Sequence, residues 1–136
     1  MTLKSLFFDT EAVKRQVDAI TRRSLSRLGA FVRRRAQTSI RKRKGTAPPG
    51  QPPHSHEGSL RRLIFFAYEP AARSVVVGPV PFRKGEAPKL LEFGGEATRT
   101  RGGRSRRVRY RGHPFMGPAG RAEAARFSDI LRQMVR

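Results

Sequence analysis

The chain contains no cysteine, which excludes a disulfide framework and any thiolate-ligated zinc or iron-sulfur centre, and agrees with a reducing cytoplasm. Long apolar runs are also missing. The longest, such as Leu63 to Ala67 and Val75 to Val77, fall far below the roughly 20 residues that span a bilayer, and Met1 to Phe8 is too short for a secretory signal, so a non-membrane, non-secreted protein is expected. Acid is scarce. Against 30 Lys and Arg stand 10 Asp and Glu, a formal charge of +20, more than a free globule of this size usually carries. That balance calls for an anionic partner. The carboxylates are scattered, with no cluster suited to Mg²⁺ or to general acid and base chemistry, so no catalytic constellation and no cofactor are expected.

At 136 residues the chain suits one domain over residues 1–136, with one core. From about Thr10 to Ile40 there is no proline and one glycine, and Val13, Val17, Ile20, Leu28 and Phe31 recur near a 3.6-residue period, which predicts one long helix. Asp9 or Thr10 is suited to cap it, Glu11 complements its positive end, and Arg33, Arg34, Arg35 and Arg41 crowd its negative end. Thirty such residues extend about 45 Å, against a diameter of roughly 35–40 Å for a folded chain of this length. The helix should therefore overhang its own core, or break near Gly29, where a helix interior loses about 1 kcal/mol relative to Ala.

The stretch from Arg41 to Ser59 has four prolines and three glycines and reads as a long basic loop. Leu60 to Tyr68 and Ser74 to Pro79 read as two antiparallel strands joined through Glu69 to Arg73, and Leu90 to Phe93 as a third short strand stopped by Gly94 and Gly95. Between Ala97 and Glu123 no acid occurs. There, over about residues 97–112, Arg99, Arg101, Arg104, Arg106, Arg107, Arg109 and Arg111 surround Gly102 and Gly103. This predicts a basic arm or hairpin tip with Val108 and Tyr110 as its strand. From about Pro118 to Val135 helical spacing returns and a C-terminal helix closes the domain. The expected class is α+β: a long N-terminal helix, a small antiparallel sheet with extended loops, and a C-terminal helix packed on the sheet.

His54, His56 and the distant His113 make a poor ligand set, so a solvated Pro/His loop is favoured over metal binding. The glycine pairs lack the frame of a phosphate loop and read as turns. The basic clusters, Arg33–Arg35 running into Arg41, Lys42, Arg43 and Lys44, and Arg99 to Arg111, are rich in arginine, whose planar fork suits phosphate and carboxylate alike. Two acid-free runs would repel each other in a free monomer, which favours engagement with a partner or DNA. Aromatic residues hardly interleave with them, so sequence-specific nucleic-acid reading is not expected. In His113-Pro114-Phe115-Met116-Gly117-Pro118-Ala119, Pro114 favours an extended His113, Phe115 and Met116 offer a buried anchor, and Pro118-Ala119 suit a helix start, so the segment reads as a structural latch.

The order of these parts is itself informative. A long basic helix ends in SIRKRKG, then come PGQPPHSH, the pair LIFFAY and SVVVGP, LEFGG at Leu91 to Gly95, and HPFMGPA before a helix. This set resembles the small neck proteins of tailed bacteriophages, variously called head-tail joining, tail-completion or minor tail proteins. The resemblance covers nearly the whole chain. Its most diagnostic parts are the E-x-G turn at Glu92, Phe93 and Gly94 and the P-F-x-x-P-A latch at Pro114, Phe115, Pro118 and Ala119. Many relatives place Thr or Ser where this chain has Gly95, and the Arg99 to Arg111 stretch is unusually basic.

The resemblance implies a structural, non-enzymatic virion protein, made in the host cytoplasm and assembled as a homo-oligomeric ring at the top of the tail. Six copies are expected, with twelve also compatible. Its partners would be the connector or head-closure protein, the tail-terminator or tail-tube protein, and, nonspecifically, DNA in the lumen. The competing reading is a basic, non-sequence-specific nucleic-acid-binding protein, similar in charge to a ribosomal protein. A small nuclease or ligase is disfavoured by the missing acid and base set.

Overall fold

The computed structural model describes residues 10–80 and 87–136. The proline-free stretch forms a single 30-residue helix, α1 (Thr10–Ser39). Thr10 is already helical; the Asp9 cap lies outside the described residues. Burial begins midway along it, where Ser24, Leu28, Val32, Ala36 and, just past its end, Ile40 follow at steps of four, and every one of them is at least partly withdrawn from water. Val13 and Val17 on the first half remain 41% and 51% exposed. The helix therefore overhangs its core, as its length requires.

Gly29 does not break α1. It lets the first hairpin cross it closely: a Cβ there would stand 2.6 Å from Val75 Cγ2 and 2.9 Å from Phe66 Cδ2. That hairpin comprises β1 (Ile64–Glu69) and β2 (Ser74–Pro79), antiparallel with Phe66 opposite Val77 and Glu69 opposite Ser74. β1 starts later than its hydrophobicity suggests. Ser59–Arg62 forms one helical turn, α2, which carries Leu60 into the core before the chain extends.

Leu90 to Phe93 is not a strand. It is the end of a short helix, α3 (Ala87–Phe93), with Pro88 in its first turn. Gly94, at φ +72, donates its amide to Leu90 O and ends it. A short apolar run does not separate strand from helix by periodicity, and the glycine that seemed to stop a strand ends a helix instead. The basic stretch forms a second hairpin, as its Gly102-Gly103 turn suggests, and one ordered over its whole length instead of an extended loop: β3 (Gly95–Arg101) and β4 (Arg104–Tyr110), turning through Gly102 and Gly103. Both glycines have positive φ, which a two-residue hairpin turn of this hand demands. Two separate two-stranded sheets thus replace the single expected one.

The closing helix is also divided, into α4 (Met116–Ala124) and α5 (Phe127–Val135). Both pack chiefly on α1 rather than on the sheet. The fold remains α+β, and its core gathers Val32, Ala36, Ile40, Leu60, Ile64, Phe115 and Ala119. Polar cross-links add to it. Arg33 Nε donates to Ile64 O at 2.6 Å, Gln37 Nε2 to Arg61 O at 2.9 Å, and Arg35 Nε to the buried Glu123 Oε1 at 2.6 Å. Of the arginines expected to answer the helix dipole, Arg33, Arg34 and Arg35 lie before the last turn and Arg41 beyond the helix end, and that field fades within the last turn. Two of them instead join α1 to its neighbours.

No helix among the described residues is long and apolar enough to cross a membrane. Gly29→Val should lower stability by about 1–3 kcal/mol in a urea melt, because overpacking against Val75 and Phe66 outweighs the better helix propensity. Gly120→Ala, in α4 where an added Cβ meets nothing within 4 Å, should raise it by about 0.5–1 kcal/mol.

Candidate interaction surfaces

The two halves of the E-x-G and P-F-x-x-P-A pattern meet in space. Glu92, near the end of α3, aims its carboxylate at the start of α4: Oε2 accepts the amides of Phe115 and Met116 at 2.8 and 2.9 Å, and Oε1 that of Gly117 at 2.7 Å. The next residue is Pro118, which has no amide hydrogen. Every amide in the first turn of α4 is thereby accounted for, with no side chain of α4 itself serving as a cap. The negative carboxylate also sits at the positive end of the helix. Just behind it, Gly94 packs against the backbone of residues 110–112, where a Cβ would stand 2.8 Å from Gly112 N and 2.9 Å from Tyr110 O. His113 donates its amide to Leu91 O. Phe93 points outward, 79% exposed.

The latch is structural, as its residues suggest. Phe115 is 1% exposed in the core and Ala119 is likewise buried, while Pro114 is half-buried. The helix begins two residues before Pro118, at Met116.

The Pro-rich segment is held at its far side. Gly50 donates its amide to Gly112 O at 3.3 Å, His113 Nδ1 lies 3.1 Å from Gln51 O, and Ala47 is buried. It is thus less a free solvated loop than a strap over the base of the second hairpin, fastened there by these contacts to Gly112 and His113. A mainly apolar groove of about 740 Å³ runs between the strap, α3 and the hairpin base, past Ala47, Leu90, Leu91, Ala97 and Tyr110. Arg41 bridges His54 through its backbone and its carbonyl accepts from Ser55 N at 2.9 Å. The side chains of Arg41, Lys42, Arg43 and Lys44 remain exposed, with no ion pair among the described residues. His56 Nε2 accepts from Gly45 N. Among the described residues no three His, Asp or Glu side chains are grouped to hold a metal.

The second hairpin projects, its strands contacting each other and, among the described elements, little else. Strand alternation sorts its arginines. Arg99 pairs with Arg106 and Arg101 with Arg104 on one face, which continues to Ala97 with Val108 and Gly95 with Tyr110. The other face carries Glu96 opposite Arg109, Thr98 opposite Arg107, and Thr100 hydrogen-bonded to Ser105. The hairpin's single acid, Glu96, pairs with Arg107 at 3.5 Å. All compensation therefore lies on one side. The other side sets like charges directly opposite each other twice, an arrangement that destabilises a ribbon by roughly 0.2–1 kcal/mol per pair. Composition alone treats these six arginines as equivalent; position parity along the strands is what separates four from two.

No protein-family profile matches the chain, and neither a curated protein nor a solved structure shows significant similarity to it.

Glu92→Ala should destabilise the fold by about 2–3 kcal/mol by denaturant melting, since three amides lose a charged acceptor, while Glu92→Gln, which keeps one oxygen acceptor, should fall between it and the parent. Phe115→Ala should cost about 3–5 kcal/mol. A melt unchanged by either alanine variant would contradict the latch.

Proposed function

We propose that this chain is a structural subunit of a tailed-phage neck, which joins or completes the tail at the head-tail interface as a homo-oligomeric ring. The observation that carries this reading is the Glu92 cap. The two sequence elements most diagnostic of the resemblance, 20 residues apart along the chain at Gly94 and Pro114, meet in one joint where the Glu92 side chain caps the helix that follows Pro114, which supports reading them as one signature.

Shape and charge support the same role. A helix whose first half leaves Val13 and Val17 in water offers a face for a neighbouring subunit. A chain of charge +20 is better suited to an assembly with acidic protein or DNA than to solitary existence. On this reading the protein acts in the virion, at the top of the tail, between the head-closure and tail-terminator or tail-tube rings, and six copies form the ring. Its work is mechanical, through surfaces that fit, and needs no bond-making chemistry.

Cryo-electron microscopy of intact particles tests the ring directly: six-fold density at the top of the tail is expected, and absence of the chain from purified particles would overturn the proposal. The basic start of the strap gives a functional test. Replacing Arg41, Lys42, Arg43 and Lys44 together by Ser should change stability by no more than about 0.5 kcal/mol, because the strap is fastened through backbone groups and these side chains are exposed. Infected cells carrying that variant should accumulate filled heads and separate tails. Normal yields of joined particles would show that these four charges have no part in joining.

A further inference from the structure

The acid-free face of the second hairpin is not explained by subunit joining. Arg99, Arg101, Arg104 and Arg106 are all exposed and lack ion-pair partners among the described residues. Along each strand the two arginines stand about 6.8 Å apart, and across the ribbon about 5 Å. Together with Val108 they line a hollow of about 300 Å³. Such crowding of like charge on a projecting ribbon costs the free chain a little and is relieved by an anion of matching density.

The surroundings of the patch select that anion. A protein-binding surface has an apolar or aromatic centre and keeps its charges at the rim, whereas here the charge is the centre. A single nucleic-acid strand is held by aromatic stacking, and the sole aromatic on this face, Tyr110, lies at the far end of the ribbon opposite Gly95. A DNA duplex needs neither. Its backbone offers closely spaced phosphates to guanidinium forks, and its major groove, about 12 Å wide, admits a two-stranded ribbon.

We propose that the face formed by Arg99, Arg101, Arg104 and Arg106 is a sequence-independent binding site for the phosphate backbone of double-stranded DNA. Arg107 and Arg109, which share the opposite face with Glu96, lie outside it. The site does not depend on the neck role, because its test uses the purified full-length chain and naked DNA.

Two variants remove equal charge from the same strand on opposite faces: Arg104→Ser with Arg106→Ser, and Arg107→Ser with Arg109→Ser. Fluorescence anisotropy with a short mixed-sequence duplex, between about 50 and 200 mM salt, should show the first pair losing about tenfold or more in affinity at the low-salt end, with a log–log salt slope shallower by about 1.8. The second pair should lose less than about threefold, through net charge alone. In the unaltered protein, duplex titration should shift the Nε–Hε resonances of Arg99, Arg101, Arg104 and Arg106 and leave that of Arg107 in place, a readout independent of any effect of mutation on folding. Equal losses from the two pairs, shifts on the Glu96 face instead, a single strand bound as tightly as the duplex, or polyglutamate displacing the duplex as readily as unlabelled duplex does would each overturn the proposal.

Discussion

The Glu92 carboxylate ties the end of α3 to the start of α4, beside the backbone contact of Gly94 with Gly112 and the bond from His113 to Leu91. It occupies the start of α4, so the position of that helix, and with it Phe115 and Ala119 in the core, depends on where α3 ends. α3 ends where it does because Gly94 adopts a left-handed conformation and lies against residues 110–112 without a Cβ in the way. The same few residues thus fix the helix start, the root of the second hairpin and, through Gly112 and His113, the attachment of the Pro-rich strap. A helix start with no capping side chain of its own is unusual, but a glutamate from elsewhere that satisfies three amides, followed by a proline with none to satisfy, leaves no polar group unmatched. Replacing a local Ser or Asp cap by a distant glutamate converts a local signal into a tertiary one. The helix is then stable only when the rest of the molecule is in place.

The excess of arginine divides into two physical populations. Arg33 and Arg35 are structural: their guanidinium groups reach the Ile64 carbonyl and the buried Glu123, tying the first hairpin and α4 to α1. Glu123 is 5% exposed, so removing its partner would leave a buried carboxylate without compensation, a far more costly defect than losing an exposed ion pair. The arginines of the acid-free hairpin face and the cations of the strap belong to the second population, which stabilises nothing in the chain itself. Net charge does not distinguish the two. Only the partners do: the first population finds them within the fold, and the second has no ion pair among the described residues.

The long helix, the first hairpin and the turn at Gly102-Gly103 were legible in the sequence because each rests on a local rule: absence of proline, β-branched alternation, and glycine where φ is positive. Leu90 to Phe93 was misread as a strand because its four residues carry no period, and what makes them helical is Pro88 before and Gly94 after. The break between α4 and α5 was missed because neither Ala125 nor Arg126 is a helix breaker; the interruption has no local signal in those residues. The buried stripe of α1 was only partly legible. The eye is drawn to Val13 and Val17, which are exposed, while Ser24 and Ala36 are buried because small side chains let neighbouring elements approach. Of the candidate site residues, the latch was recoverable from Pro114, Phe115 and Pro118, and the two-faced division of the arginines followed from counting odd and even positions once both strands were known. The role of Glu92 as a remote cap had no signal in its spacing.

A core made of half a helix, one hairpin and a short closing pair leaves two elements reaching beyond it: the first half of α1 and the second hairpin. Both are regular structures rather than loops, and that affects what they can do. A flexible arm carrying the same charges would lose conformational entropy on docking, about 1–2 kcal/mol for each residue fixed. A helix continuous with the core, or a ribbon whose root is clamped by Gly94 and Gly112, has already been ordered by folding, so more of any contact energy appears as affinity. The like-charge pairs on the ribbon act in the same direction, since they raise the energy of the unbound state and would be relieved by an anion. Rigid support with built-in repulsion is therefore an arrangement that weakens the isolated chain slightly and would favour a state with an anion bound.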